Sequence, residues 1–470
     1  MKTEYPFHRY EPLMEDPEAF WACLARPLPA CLWVNPYKTD PERLLAALRE
    51  EGYEPEPLGW YPGAYRLPGV EKPGATLAFV AGWYYVQEEI ALTAVVALDP
   101  QPGERVLDLC AAPGGKTAQI ALRVGLEGTV VANEFHTRRL SSLRATIERL
   151  GLPQVVVTHH DGTTLPLQEG TFDRVLVDAP CSGEGTVRKR SSSWKGYRPA
   201  FVEAAQQLQR QLLQQALRLV KPGGVVVYST CTYAPEENEA VLDAVLGDWG
   251  YVEPFSIPGL RFRPGIRQWN GRTFREDIAH AHRYWPHLND TGGFFVARIR
   301  RTDLPMPQAT ARRPEPARYD TARPLEEDSP LRWFTERFGL DRSGLAPFRF
   351  WSRGREKIWM TRAQTWLPEG VNLHSAGIAL LRRTHYNYKP TTAALQYFGP
   401  QIQRNAITLQ HRDEARRFVT GQSLVLPGPV TWEPGYVHVR FGPYELGCGL
   451  ARGTQLHSQI PKGLWVLGSD

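Results

Sequence analysis

Few residues in this chain are suited to covalent chemistry. Six cysteines stand at positions 23, 31, 110, 181, 231 and 448, with no CxxC pair and no Cys/His cluster at metal-binding spacing. A metal site is therefore not expected. Nor is a disulfide framework, because no apolar run after the early lysine marks a secretory signal. The thiolate is the nucleophilic form of cysteine, so what matters is which thiol is placed to act. A lone cysteine is ordinarily a small buried hydrophobe, and Cys23, Cys31 and Cys448 are read that way. Cys181 and Cys231 lie in Asp178-Ala179-Pro180-Cys181-Ser182-Gly183-Glu184-Gly185 and Ser229-Thr230-Cys231-Thr232-Tyr233, and they are the candidates for reactive thiols.

A second set of residues points to a nucleoside ligand. Cys110-Ala111-Ala112-Pro113-Gly114-Gly115-Lys116-Thr117 is a glycine-containing turn that opens a helical segment. Such a turn lets backbone approach a ligand closely, and the helix N-terminus offers unpaired N–H groups. The spacing matches neither the dinucleotide fingerprint nor the P-loop. Acidic residues recur at successive strand ends: Asp108, Glu134, Asp161 and Asp178. Strand C-termini of a doubly wound sheet line one crevice, where carboxylates suit ribose hydroxyls and an exocyclic amine. A nucleoside cofactor is the reading these residues support together.

The elements that must position them alternate between strand and helix. Strands are expected over 105–109, 129–134, 154–157, 173–178 and 225–229, the pattern of a parallel sheet. Ala204, Leu208, Leu212, Ala216 and Leu219 recur at helical spacing, with Lys221-Pro222-Gly223-Gly224 as the expected stop. Before this lies a small α+β unit, residues 1–75. Its strand is Cys31 to Asn35, and its helix has Asp40 as N-cap and Pro41 as first residue. The central domain runs over 76–301. A proline- and charge-rich linker is expected at 302–330, then a strand-rich region at 331–470.

Composition narrows the function classes. At 470 residues, 42% hydrophobic and 22% charged, the chain builds sizeable cores and is not disordered. No apolar run spans a bilayer, so no membrane partner is expected and a cytoplasmic location is. The net charge is +5, but residues 301–470 carry 23 basic and 15 acidic residues, leaving the first 300 at −3. That asymmetry suggests a polyanion at the C-terminal part. Arg382-Arg383-Thr384-His385-Tyr386-Asn387-Tyr388-Lys389 and Arg353-Gly354-Arg355-Glu356-Lys357 interleave cations with rings suited to phosphate and unpaired bases.

The cofactor turn, the Asp178–Gly185 segment and the Ser229–Tyr233 segment, in this order, resemble the signature set of the RNA (cytosine-5) methyltransferases. Tyr85-Val86-Gln87-Glu88, Pro235-Glu236-Glu237-Asn238-Glu239, Arg283-Tyr284-Trp285-Pro286-His287 and Gly293-Phe294-Phe295-Val296-Ala297-Arg298 resemble it too. The resemblance implies an α/β fold with a class I, Rossmann-like S-adenosylmethionine-dependent methyltransferase core and an RNA-contacting N-terminal domain. It implies that Cys231 attacks carbon 6 of cytosine and that Cys181 assists proton removal and release. It also implies that Asp178 bonds the cytosine edge and that Lys116 supports cofactor or target. Cys110, Ala111, Ala112, Pro113, Gly114, Gly115, Lys116, Glu134, Arg139, Asp161 and Asp178 are then the S-adenosyl-L-methionine-binding set.

DNA cytosine methyltransferases attack with the cysteine placed like Cys181, so the additional Thr230-Cys231-Thr232 motif favours RNA. The C-terminal region resembles, in part, the RNA-binding appendage shared by pseudouridine synthases and archaeosine transglycosylases (PUA-like). Together these imply the bacterial small-subunit (16S) ribosomal RNA branch, acting in ribosome biogenesis on structured RNA or the small subunit, as a monomer. A transfer-RNA 5-methylcytosine enzyme and a non-catalytic RNA-binding assembly factor are the alternatives. Two departures bear on target choice: basic residues 189–199 replace a more acidic loop, and Glu88-Glu89-Ile90 replaces Glu-Ala-Ser.

Overall fold

The computed structural model describes residues 6–189, 199–306, 323–353, 357–385, 387–429 and 431–464. Its centre is one mixed sheet. Strands β1 (Arg105–Asp108), β2 (Thr129–Asn133), β3 (Val155–Thr158), β4 (Phe172–Asp178) and β5 (Val220–Thr230) run parallel. With β6 (His282–Tyr284), β7 (Phe294–Arg301) and β8 (Leu373–Ala376), the spatial order is β6-β7-β5-β4-β1-β2-β3-β8. β7 is antiparallel to β5, with Phe295 opposite Thr230. The strand order reverses at β1, flanked by β2 and β4, so the carboxyl ends of these strands open one crevice.

The parallel strands read as continuous Val/Leu runs because both faces are covered. On one face Val106, Val130, Val155 and Val157 pack against helices α1 (Gly115–Val124) and α2 (Thr137–Leu150) through Ile120, Leu143 and Ile147. On the other, Leu107, Val131, Val156 and Val175 meet Leu212, Leu213 and Ala216 of helix α3 (Pro199–Leu219). Neighbouring residues of one strand thus serve opposite cores. α3 ends at Leu219 as its pattern requires, but Lys221-Pro222-Gly223-Gly224 does not stand as a loop between helix and strand. Val220 already pairs with Phe172 and Val225 pairs with Arg174, so the four intervening residues bulge from within β5.

The N-terminal unit holds the strand Ala30–Val34 and the helix Pro41–Glu50, whose N-cap Asp40 accepts from Arg43 N at 2.9 Å. Its four-stranded sheet takes in Tyr84–Val86, paired with Leu32 to Val34. The boundary expected at residue 75 therefore falls inside this unit. The linker expected at 302–330 is shorter than its composition indicates: Arg323–Pro324 pairs with Trp351 and Ser352, and a helix starts at Ser329. Residues 307–322 of that linker, and 190–198 of the basic loop, lie outside the described residues. So do residues 354–356 and Tyr386 of the two basic segments.

Residues 331–470 do not form a separate appendage. β8 is drawn from them and extends the central sheet, antiparallel to β3. A five-stranded sheet that includes Gly435–Phe441 shares one core with the N-terminal unit, where Leu32, Leu44 and Trp83 join Phe418, Val437 and Leu446. Apolar periodicity marks each strand but carries no record of which distant sheet it joins. No helix among the described residues is long and apolar enough to cross a membrane.

Candidate active site

Three loops meet at the carboxyl ends of β1, β4 and β5. β4 ends at Asp178, and three residues later the chain reaches Cys181. β5 ends at Thr230, and the next residue is Cys231. Adjacent parallel strands set Asp178 opposite Ser229, whose hydroxyl donates to Asp178 Oδ1 at 2.8 Å. The same register brings Cys181 Sγ to 3.4 Å from Cys231 Sγ, in contact without a disulfide. Lys116 Nζ donates to Asp178 Oδ2 at 2.7 Å across the mouth of the first loop.

Electrostatics separates these groups. The hydrogen bond to Cys231, then burial, pushes the Cys181 thiol well up. Burial alone would lower the Lys116 ammonium, but Asp178 beside it outweighs that and raises it, keeping the cation in place. Burial pushes the Asp108 carboxyl up to about 7, with Asp178 and Glu134 adding to the rise against Thr117 and Lys116. Asp108 Oδ2 accepts from Thr117 Oγ1 at 2.6 Å, while Oδ1 is buried with no hydrogen-bond partner among the described residues.

Cys110, Ala111, Ala112, Pro113, Gly115, Lys116, Asp108 and Asp178 line a cavity of about 250 Å³. Gly114 caps α1 at φ +107°, a backbone region that favours glycine. A Cβ on Gly115 would stand 2.6 Å from the Tyr85 ring and 2.9 Å from Gln87 Oε1. The cradle is thus closed to side chains there. An unpartnered carboxylate oxygen, a glycine-walled turn and a helix N-terminus fit a ligand with an ammonium group and a nucleoside.

Glu134 and Arg139 brace the loop from behind. Glu134 accepts from Ala112 N at 3.3 Å and His136 N at 2.7 Å, with Arg139 Nη1 3.3 Å away, and Arg139 also donates to Ala112 O. Asp161 is not brought into the group: it is exposed and accepts from Thr163 N and Oγ1 at 2.9 and 2.7 Å in its own turn. It lies three residues beyond the end of β3, so strand-end position alone overstated its convergence.

Three further carboxylates lie within the quoted motif stretches, but their spacing does not show what they contact. Glu88 lines the cavity and accepts from Gly292 N at 2.9 Å. Glu184, buried and pushed up to about 7 by that burial, accepts from Tyr10 OH, Thr232 Oγ1 and Tyr233 N at 2.9–3.0 Å. Glu237 accepts from Ser182 N and Gln209 Nε2, both at 2.9 Å. These two acids tie the Cys181 loop to the Cys231 loop.

Comparison with known proteins bears on this arrangement. Residues 95–300 match the family described as "16S rRNA methyltransferase RsmB/F". Residues 6–89 match the N-terminal domain of 16S rRNA methyltransferase RsmF. The "Ribosomal RNA small subunit methyltransferase F" of Aeromonas hydrophila is 31% identical over 95% of this chain and 93% of its own. The chain belongs to the RsmB/F family. This RsmB/F member is an S-adenosylmethionine-dependent RNA cytosine-5 methyltransferase. It is also 36% identical to the "tRNA (cytosine(49)-C(5))-methyltransferase" of Pyrococcus abyssi, over 62% of this chain and 94% of that one. Among solved structures, a methyltransferase homologue from Pyrococcus horikoshii matches with a TM-score of 0.54 and 33% identity, covering 61% of this chain and 90% of that one.

Proposed function

We propose that this enzyme methylates carbon 5 of cytosine in small-subunit ribosomal RNA through a covalent adduct at Cys231. The observation that carries the reading is the Cys181–Cys231 sulfur contact of 3.4 Å beside the Lys116–Asp178 pair. The ribosomal target is supported by the near full-length similarity to the Aeromonas hydrophila protein. The similarity to the transfer-RNA enzyme covers only 62% of this chain.

Carbon 5 of cytosine is a poor nucleophile. Cys231 thiolate adds to carbon 6, forming a C–S bond and turning the ring into an enamine nucleophilic at carbon 5. Asp178, held by Lys116 and Ser229, bonds the cytosine edge and stabilises the proton on ring nitrogen 3. S-adenosylmethionine, when bound, supplies an electrophilic methyl group on a sulfonium. Asp108, Cys110 to Lys116 and Asp178 would hold it, with Glu134 and Arg139 keeping the turn in shape and Asp161 at the margin.

Release requires loss of the carbon-5 proton and of the sulfur at carbon 6. Before addition, the hydrogen bond to Cys231 holds the Cys181 proton. Once the Cys231 sulfur is bonded to carbon, that hold is gone. Cys181 can then pass its own proton to solvent and, as the thiolate, accept the carbon-5 proton as the ring double bond re-forms and Cys231 leaves as thiolate. The target base must be extruded from any stack, since carbon 6 is otherwise out of reach.

The test is mass mapping of methylated nucleosides after the purified protein meets ribosomal RNA, small subunits, transfer RNA and DNA. 5-Methylcytosine in small-subunit RNA alone is expected. Label in transfer RNA alone overturns the substrate and keeps the chemistry. No label in any of them, with cofactor bound, overturns both.

A further inference from the structure

The short helical segment Pro6–Leu13 packs onto the loop that follows Cys231. Phe7 and Tyr10 are fully buried there. The Phe7 ring meets Tyr233 edge-on at 5.4 Å between centroids, and Tyr10 meets it at 6.0 Å. Arg9 pairs with Glu236, which also accepts from Trp269 Nε1 at 2.9 Å. Tyr10 does not line the cavity that holds Lys116 and Asp178, so any part it has in the reaction is indirect.

A run of hydrogen bonds leads from Tyr10 to the residues beside both sulfurs. Tyr10 OH stands 2.9 Å from each oxygen of Glu184, itself fully buried. Glu184 Oε2 accepts from Thr232 Oγ1 and Tyr233 N, both at 3.0 Å. The Thr232 oxygen accepts from Ala234 N at 3.2 Å and gives its single proton to Glu184. Ser182 Oγ, 2.7 Å away, is therefore the donor in its contact with Thr232. Ser182 follows Cys181 and Thr232 follows Cys231, so this contact joins the neighbours of the two thiols.

A competing acceptor lies close by. Glu237 Oε1 is 3.4 Å from the same Thr232 hydroxyl, so the proton has two carboxylates within reach. Which one takes it depends on how Glu184 is held. Among the described residues, Tyr10 is the partner of Glu184 that comes from outside the two cysteine loops. Without its hydroxyl, Glu184 Oε1 loses its hydrogen bond. A buried oxygen without a partner is costly, so the carboxyl must turn or draw in water, and the loops shift with it.

We propose that Tyr10 is a positioning residue for methyl transfer: through Glu184 and Thr232 it fixes the Cys231 loop against the Cys181 loop, and with them the two sulfurs. The inference rests on the two-thiol chemistry proposed above. It gives the N-terminal segment a part in turnover that needs no contact with RNA or cofactor. Turnover is sensitive to such placement, since an ångström of error set up far from the reacting atoms costs about a hundredfold.

The test is single-turnover methyl transfer by full-length Tyr10→Phe, Thr232→Val and the double variant, titrated with S-adenosylmethionine. The RNA is one that the wild type methylates, and the temperature lies well below every melting point in the set. Tyr10→Phe keeps the buried ring and removes only the hydroxyl. Its maximal rate should fall by about tenfold. Its half-saturating cofactor concentration should stay unchanged, because other residues line that cavity. The double variant should be no slower than Thr232→Val alone, because both changes break one connection. A merely structural role would lower the melting temperature and leave the rate per folded molecule in place. A wild-type maximal rate in Tyr10→Phe overturns the inference, as does a change confined to cofactor saturation. A double variant slowed by the product of the two single effects overturns it too. Cys231→Ala, assayed alongside, judges the two-thiol chemistry separately: turnover in that variant removes the covalent role of Cys231 and this inference with it. An inactive Cys231→Ala beside a wild-type rate in Tyr10→Phe removes the positioning role alone.

Discussion

Asp108 and Glu184 are two carboxyls that burial holds near neutrality, and each makes a different pH prediction. Asp108 presents an unpartnered oxygen to the cavity and sits at about 7. The cofactor's ammonium and sulfonium are cations, so only the ionised carboxylate attracts them. Cofactor affinity should rise about tenfold from about pH 6 to about pH 8, tracking ionisation of a group near 7, and Asp108→Asn should flatten it. Calorimetry at both pH values checks this, and an affinity that falls with pH would falsify the role given to Asp108. Glu184 is raised from 4.5 to about 7 and faces other protein groups instead. A raised acid favours the folded state below its unfolded value and loses that contribution as pH rises through about 7. Melting temperatures should fall across that window less steeply in Glu184→Gln than in wild type; an identical slope would remove Glu184 as the source. Cys181, Cys231, Lys116 and Asp178, which the structure brings together, were legible as candidates in the sequence because each lies in a contiguous motif. Glu184 lies in the same motif as Cys181, but its role was not legible, because its partner Tyr10 lies 174 residues away.

At the scale of elements, the site depends on backbone approaching backbone. Gly185 N donates to Cys231 O at 2.8 Å, and Gly293 N, just before β7, donates to Gly185 O at 2.9 Å. A Cβ on Gly185 would lie 2.1 Å from Gly293 O. Gly185→Ala must therefore spread the Cys181 loop from β7, costing about 2 kcal/mol or more and lowering turnover together with stability. Denaturant midpoints and rates of the variant check this; a wild-type midpoint would mean the loops tolerate separation. The parallel strands and α3 were legible because apolar runs and helical spacing are local signals. The bulge in β5 was not, since Lys221-Pro222-Gly223-Gly224 reads as a turn until the pairing of Val220 with Phe172 is seen.

For the whole molecule, the ends of the chain close around the middle. β8 covers the outer edge of β3, and Val371 and Leu373 enter the core packed against α3. Cutting the chain after residue 306 would bare that edge and halve the core shared by Trp83 and Val437. Such a truncated protein should melt lower and self-associate; a monomer with the full-length melting temperature would show that the C-terminal region is dispensable for stability. The sequence divided the chain into successive domains because proline-rich and charged stretches resemble linkers, whereas strand partners across hundreds of residues leave no local trace. The proposed chemistry divides labour between the two thiols. Its most direct test is to incubate full-length Cys181→Ala with small-subunit RNA and S-adenosylmethionine, denature, digest and map any peptide carrying a nucleotide. A methylcytidine-bearing adduct on Cys231, with no such adduct in Cys231→Ala, is the predicted result. No adduct, or one on another residue, would contradict it.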